Sequence, residues 1–149
     1  GKMTSSAPKV FIDSSVLIAA VGSPSGGSAR VLRLAKGDKI KLYVTLEVLR
    51  ETRLNIAEKF SREKLVRFLM EVKFAKIKIV PDLLEKETAR WASLTVEKDT
   101  HVLAGAIKAK AEILLSLDKQ HILTAKVKKN FPILIQNTKQ FLAAFPKAV

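Results

Sequence analysis

The chain contains no cysteine, which excludes disulfides and thiolate metal sites. Aromatic residues make up only 6%, and none form a ladder between the basic clusters. Base stacking is therefore not expected to dominate any nucleic-acid contact, whereas contact with the phosphate backbone fits the composition. Uninterrupted apolar runs stay well short of the roughly 20 residues that span a bilayer, so no membrane insertion is expected. The first eight residues lack an apolar signal core, and Gly1-Lys2 ahead of Met3 reads as an expression scar. Residues 1–9 are expected to be disordered, and without an export signal a cytoplasmic location is the default. Acidic residues are the scarcest charged class: 14 Asp and Glu stand against 27 Lys and Arg, and only five are Asp.

What is present bounds the answer from the other side. A length of 149 residues with 48% hydrophobic content suits one domain with a real core, taken here as residues 10–149. The formal charge of +13 favours a polyanion as partner, through counterion release and electrostatic steering. The cations are dispersed, at Lys36/Lys39/Lys41, Lys73/Lys76/Lys78, Lys108/Lys110 and Lys126/Lys128/Lys129.

Short apolar strands alternate with helices along the whole chain. Strands are expected at residues 10–12, 42–44, 77–80 (stopped by Pro81), 113–115 and 133–135 (after Pro132). Helices are expected at 14–21, from a Ser28 cap to Gly37, from a Thr45 cap onward, at 61–73, from an Asp82 cap through Trp91, from Asp99 onward, and at 138–145. Continuous apolar strands separated by helices indicate an α/β fold: a three-layer α/β/α sandwich with a mainly parallel central sheet.

Four acids fall where such a sheet exposes its carboxyl edge. Asp13 and Asp118 follow strands, Glu47 lies in the first turn of a helix after a strand, and Asp99 opens a helix. Open parallel sheets bind ligands outside this edge, where the strand order reverses. On the last of these helices Asp99, Leu103, Ala106 and Ile107 share one face by spacing. Each acid has a structural reading alone, as a cap, a first-turn charge or a turn residue. Together they present a problem, because two carboxylates about 4 Å apart repel by roughly 4 kcal/mol at an effective dielectric near 20. A hard divalent cation removes it, and oxygen ligands select Mg²⁺ or Mn²⁺ over zinc.

Other signals fail. Residues 22–27 fit part of a phosphate-binding loop, but Ser28 stands where the essential lysine belongs. Asp13-Ser14-Ser15 lacks the second aspartate of a phosphotransfer motif. His101 and His121 are not spaced as a metal pair; His101 is expected on a helix surface, with substrate contact as the alternative, and His121 in local hydrogen bonding. Trp91 is expected in the core or at a partner surface.

The order of these motifs resembles PIN-domain proteins (PilT N-terminus-like) over residues 10–145. The residues that carry the resemblance are Val10-Phe11-Ile12-Asp13-Ser14-Ser15, then Thr45-Leu46-Glu47-Val48, then Lys98-Asp99-Thr100-His101-Val102-Leu103-Ala104, then Ile113-Leu114-Leu115-Ser116-Leu117-Asp118-Lys119-Gln120-His121. The resemblance implies a Mg²⁺- or Mn²⁺-dependent ribonuclease, a hydrolase of RNA phosphodiesters. Asp13, Glu47, Asp99 and Asp118 would be its catalytic acids; Asp13, Asp99 and Asp118 would hold metal, and Ser14 and Ser116 would support the site. Substrate-binding residues are not identified by it. Many small relatives are VapC-like toxins of toxin–antitoxin pairs, which implies RNA, an antitoxin protein and a homodimer as candidate partners. The Lys-Gln-His sequence after Asp118 is closer to general PIN proteins than to the narrow toxin consensus. A PIN fold that binds RNA or protein without cutting is the alternative, and the complete acidic set favours activity over it.

Overall fold

The computed structural model describes residues 7–145. The start expected to be disordered, residues 1–9, falls outside the described residues through position 6. Five strands form one fully parallel sheet: β1 (Lys9–Ile12), β2 (Lys41–Val44), β3 (Lys78–Ile79), β4 (Ile113–Leu115) and β5 (Leu134–Gln136). Their order is β3-β2-β1-β4-β5. Val10, Phe11 and Ile12 of the central strand are fully buried, which explains their unbroken apolar run. β1 pairs with β2 through Val10↔Leu42 and with β4 through Phe11↔Leu114.

The helices are α1 (Ser14–Gly22), α2 (Gly27–Lys36), α3 (Leu46–Lys59), α4 (Arg62–Phe74), α5 (Glu85–Ala89), α6 (Thr100–Lys108), α7 (Ala125–Asn130) and α8 (Thr138–Ala144). α1 to α4 pack together, and α5 packs with α6; the rule that parallel crossovers are right-handed assigns these two groups to opposite faces of the sheet. α8 packs against α2 and β5, and α6 lies across β1 and β2. The chain leaves β1 toward β2, yet β4 flanks β1 on its other side. The strand order therefore reverses between β1 and β4, the position beyond whose carboxyl ends open parallel sheets bind ligands.

Local chemistry sets most helix starts as expected. Asp13, Thr45 and Ser61 cap α1, α3 and α4, with side chains accepting from Ser15, Val48 and Lys64 N–H groups. Two expected caps do not form. Gly26 stands at the cap of α2, and Ser28 is buried inside the helix. Asp82 does not cap α5; that helix starts after Leu84, whose N–H donates to Glu87 Oε1 at 2.7 Å. The third strand shrinks to two exposed residues at the sheet edge, although Val80 N–H still donates to Val44 O at 2.9 Å. Trp91 lies beyond α5 rather than on it, and it is buried. Its ring meets Phe131 edge-on at 4.9 Å, and the Arg90 guanidinium covers it at 4.5 Å, so it serves the core and not a partner surface.

Gly105 sets how closely α6 approaches the sheet. A Cβ there would lie 2.5 Å from Thr45 Cγ2 and 2.8 Å from the Phe11 ring. Only hydrogen fits in that space, and the tight seat brings the first turn of α6 against the cap of α3.

Candidate metal centre

The acids are positioned by the elements that meet at this strand-order switch. Asp13 follows β1, and its N–H donates to Leu115 O of β4 at 3.2 Å. Asp118 follows β4 by way of Ser116, which is fully buried. Asp99 ends a 3-10 turn (Glu97–Asp99) and leads directly into α6.

A chain of hydrogen bonds joins Asp13 to Asp118. Asp118 N–H donates to Ser116 Oγ at 3.0 Å, and that hydroxyl donates to Asp13 Oδ2 at 2.5 Å. On the other carboxylate oxygen, Asp13 Oδ1 accepts from Ser15 N–H at 2.6 Å and from Ser15 Oγ. Ser15 Oγ in turn accepts from Leu117 N–H at 2.9 Å. The two loops after β1 and β4 are thus tied by a single polar network. Asp13 is only 4% exposed. Burial holds its carboxyl above the ordinary aspartate range; the Ser116 and Ser15 hydrogen bonds oppose this in part, and the Asp118 charge adds to it.

Asp118 is held by its own turn. Its Oδ1 accepts from Gln120 N–H at 2.9 Å and His121 N–H at 3.0 Å. Its Oδ2 lies 3.5 Å from His121 Nδ1, and Asp99 Oδ2 lies 3.3 Å from the same nitrogen. Asp99, Asp118 and His121 each offer a ligand atom within 4.8 Å of the others. Asp99 Oδ2 is buried and has no hydrogen-bond partner among the described residues. A buried carboxylate oxygen without a hydrogen bond is costly, and with His121 Nδ1 only at 3.3 Å a bound cation would satisfy it. Two carboxylate oxygens and an imidazole nitrogen lie within reach of one divalent ion, the carboxylates suiting a hard cation and the imidazole a transition metal.

The remaining expected residues occupy different places. Glu47 is exposed in the first turn of α3. It lines a neighbouring cleft of about 620 Å³ with Arg50, Lys98, Thr100 and His101. Ser14 is buried, but the hydroxyls that reach Asp13 belong to Ser15 and Ser116. His101 is not a surface residue: it is partly buried, and its Nδ1 lies 3.1 Å from Thr45 Oγ1. Burial lowers its pKa below the ordinary histidine range, against the charges of Glu47, Glu51 and Asp99. Sequence reasoning did not place His121 in the acidic cluster. The signal was its position three residues after Asp118, in a turn whose aspartate accepts the His121 N–H.

Comparison with known proteins bears on the same residues. The family profile described as "PIN domain" matches residues 9–120, a span that includes all four acids. None of the curated proteins matches the chain in sequence. Among solved structures, VapBC2 from Rickettsia felis, bound to a DNA fragment from their promoter, is 15% identical with a TM-score of 0.60, covering 87% of this chain and 98% of that one. The Mycobacterium tuberculosis toxin VapC20, which cleaves the sarcin–ricin loop, is 15% identical with a TM-score of 0.57, covering 82% and 95%. PAE2754 from Pyrobaculum aerophilum is 14% identical with a TM-score of 0.58, covering 91% and 88%. At these identities the likeness concerns the fold.

Proposed function

The chain belongs to the PIN-domain family, and from that premise we propose that it is a metal-dependent endoribonuclease with Asp13, Glu47, Asp99 and Asp118 as its working acids. The observation that carries this reading is the orphaned, buried Asp99 Oδ2 beside Asp118 and His121 at the strand-order switch. Asp99 and Asp118 would hold a Mg²⁺ or Mn²⁺ ion, with Asp13 behind them and His121 beside them. When bound, such an ion neutralises the acids and the phosphate and activates water for in-line attack.

The protein residues have separable tasks. Ser116 and Ser15 fix both oxygens of Asp13, so the central acid has one orientation. The backbone N–H groups of Gln120 and His121 fix Asp118 Oδ1 and leave Oδ2 turned toward Asp99 and His121. Glu47, exposed in the adjoining cleft, orients the attacking water. Arg50 and Lys98 in the same cleft supply positive charge for the RNA backbone.

The reading extends to partners. Val66, Leu69, Met70 and Phe74 are each about half exposed along α4. Clustered apolar exposure of this kind marks a protein interface, and an antitoxin protein or a second copy of the chain would cover it. Among the described residues no helix is long and apolar enough to cross a membrane; we take the working location to be the cytoplasm. The test is RNA cleavage with and without Mn²⁺ or Mg²⁺. Cutting should require the ion and disappear in Asp118→Asn.

A further inference from the structure

The α3 cap and the first turn of α6 meet in a contact that the acidic cluster does not use. Thr45 is 1% exposed, and its Oγ1 accepts from Val48 N–H at 3.0 Å to close the cap. The same oxygen lies 3.1 Å from His101 Nδ1. A buried hydroxyl proton needs an acceptor. The cap consumes an oxygen lone pair and leaves that proton free, and the His101 ring nitrogen is the acceptor in reach. Satisfying that hydroxyl proton assigns the ring proton of His101 to Nε2. Nδ1 being occupied, Nε2 is the nitrogen available to the 620 Å³ cleft that His101 lines with Glu47, Arg50, Lys98 and Thr100. Gly105, one turn along α6, keeps this geometry, because any larger residue there meets Thr45 and Phe11.

We propose that His101 is a substrate-contacting residue whose Nε2–H donates a hydrogen bond to an RNA oxygen in this cleft, and that Thr45 is the positioning residue that fixes its tautomer. The inference rests on the ribonuclease reading for the identity of the ligand. The acceptor is an oxygen on the sugar–phosphate strand: a phosphate oxygen, or the 2′-hydroxyl that separates RNA from DNA. Arg50 and Lys98 give the strand its charge attraction, while His101 gives one directional contact.

The experiment is equilibrium binding of a short fluorescein-labelled, mixed-sequence single-stranded RNA, followed by anisotropy. It uses wild type, His101→Ala, His101→Gln, Thr45→Val and Thr45→Ser, with Mn²⁺-induced thermal shift measured on each. His101→Ala and Thr45→Val should each weaken binding about tenfold, the worth of one well-placed hydrogen bond. Thr45→Ser keeps both the cap and the hydroxyl and should bind within about twofold of wild type, while His101→Ala, which leaves the cap intact, separates the ring contact from cap loss. His101→Gln places an amide N–H near the same point and should recover part of the loss; it also covers the case in which the alanine variant does not fold. The Mn²⁺ shift should be equal in all five proteins. An effect of His101→Ala on both RNA and the matching DNA strand assigns the acceptor to phosphate, and an effect on RNA alone assigns it to the 2′-hydroxyl. Unchanged binding in His101→Ala overturns the proposal, as does failure of Thr45→Ser to restore it, loss of the Mn²⁺ shift alongside binding, or a wild type that binds no RNA. If wild type binds RNA through His101 but never cuts it, the nuclease reading falls and the contact stands. If it cuts and His101→Ala binds equally well, the reverse holds.

Discussion

Replacing Asp99 by Asn should make the metal-free protein more stable and the metal-loaded protein comparatively less stable. Asp99 and Asp118 carry oxygens no more than 4.8 Å apart. At an effective dielectric of about 20 this repulsion is roughly 3.5 kcal/mol. Asp118 retains 28% of its side-chain exposure, and the His121 ring lies against both acids, so solvent and imidazole reduce the figure to about 1–2 kcal/mol. The Asn amide removes one charge and offers a donor to Asp118. At about 2–4 °C per kcal/mol for a chain of this size, the variant should melt about 2–8 °C above wild type in chelator. Divalent cation reverses the order. At a concentration about 100 times Kd, wild type should gain about 2.7 kcal/mol, or about 5–11 °C, and Asp99→Asn should gain little. The assay is thermal unfolding of both proteins in EDTA and across a Mn²⁺ titration. If Asp99→Asn melts below wild type in EDTA, and both respond equally to Mn²⁺, the acid is only a structural turn residue and the metal-centre argument fails.

Three further outcomes test the packing and polar geometry. Gly105→Ala should destabilise the protein by about 1–3 kcal/mol through overpacking against Phe11 and Thr45, read by chemical denaturation; a neutral result would mean α6 is not seated as described. Lys110, just past the Ala109 C-cap of α6, has a φ of 57°, so Lys110→Gly should raise stability by up to about 1 kcal/mol in the same assay, and a loss would contradict this backbone geometry. The Leu84 N–H and then Lys108 hold the Glu87 carboxyl below its ordinary value of 4.5. A depressed acid contributes fully above its unfolded pKa and loses that contribution as pH falls through the folded one. Glu87→Gln should therefore flatten the acid limb of the stability–pH curve, and an unchanged limb would show that the contact is idle in solution.

Much of the fold was legible because its signals are local. The apolar runs around residues 10–12, 42–44 and 113–115 mark largely buried strands, and Thr45 and Ser61 carry the capping chemistry that their helices use. The edge strand was less legible, since Lys78 and Ile79 are exposed and one-sided pairing at a sheet edge leaves little pattern. Ser28 and Asp82 failed as caps because backbone geometry chose Gly26 and Leu84, and any capping residue type nearby would have read the same. The acids after β1 and β4 stood out because parallel strands deliver their following residues to one edge. What joins them was not visible. Ser116 reaches Asp13 across 103 positions, and Thr45 reaches His101 across 56. Such contacts depend on strand order and on the depth at which Gly105 lets α6 settle, neither of which leaves a local periodicity.

The central claim is that these acids form a divalent-metal site that cuts RNA. The most direct test incubates wild type, Asp13→Asn and Asp118→Asn with RNA in EDTA, Mg²⁺ and Mn²⁺, and reads the products on a denaturing gel. The account predicts cleavage by wild type only when the cation is present, and none by either variant. Cleavage in EDTA, or cleavage by Asp118→Asn at the wild-type rate, would contradict it.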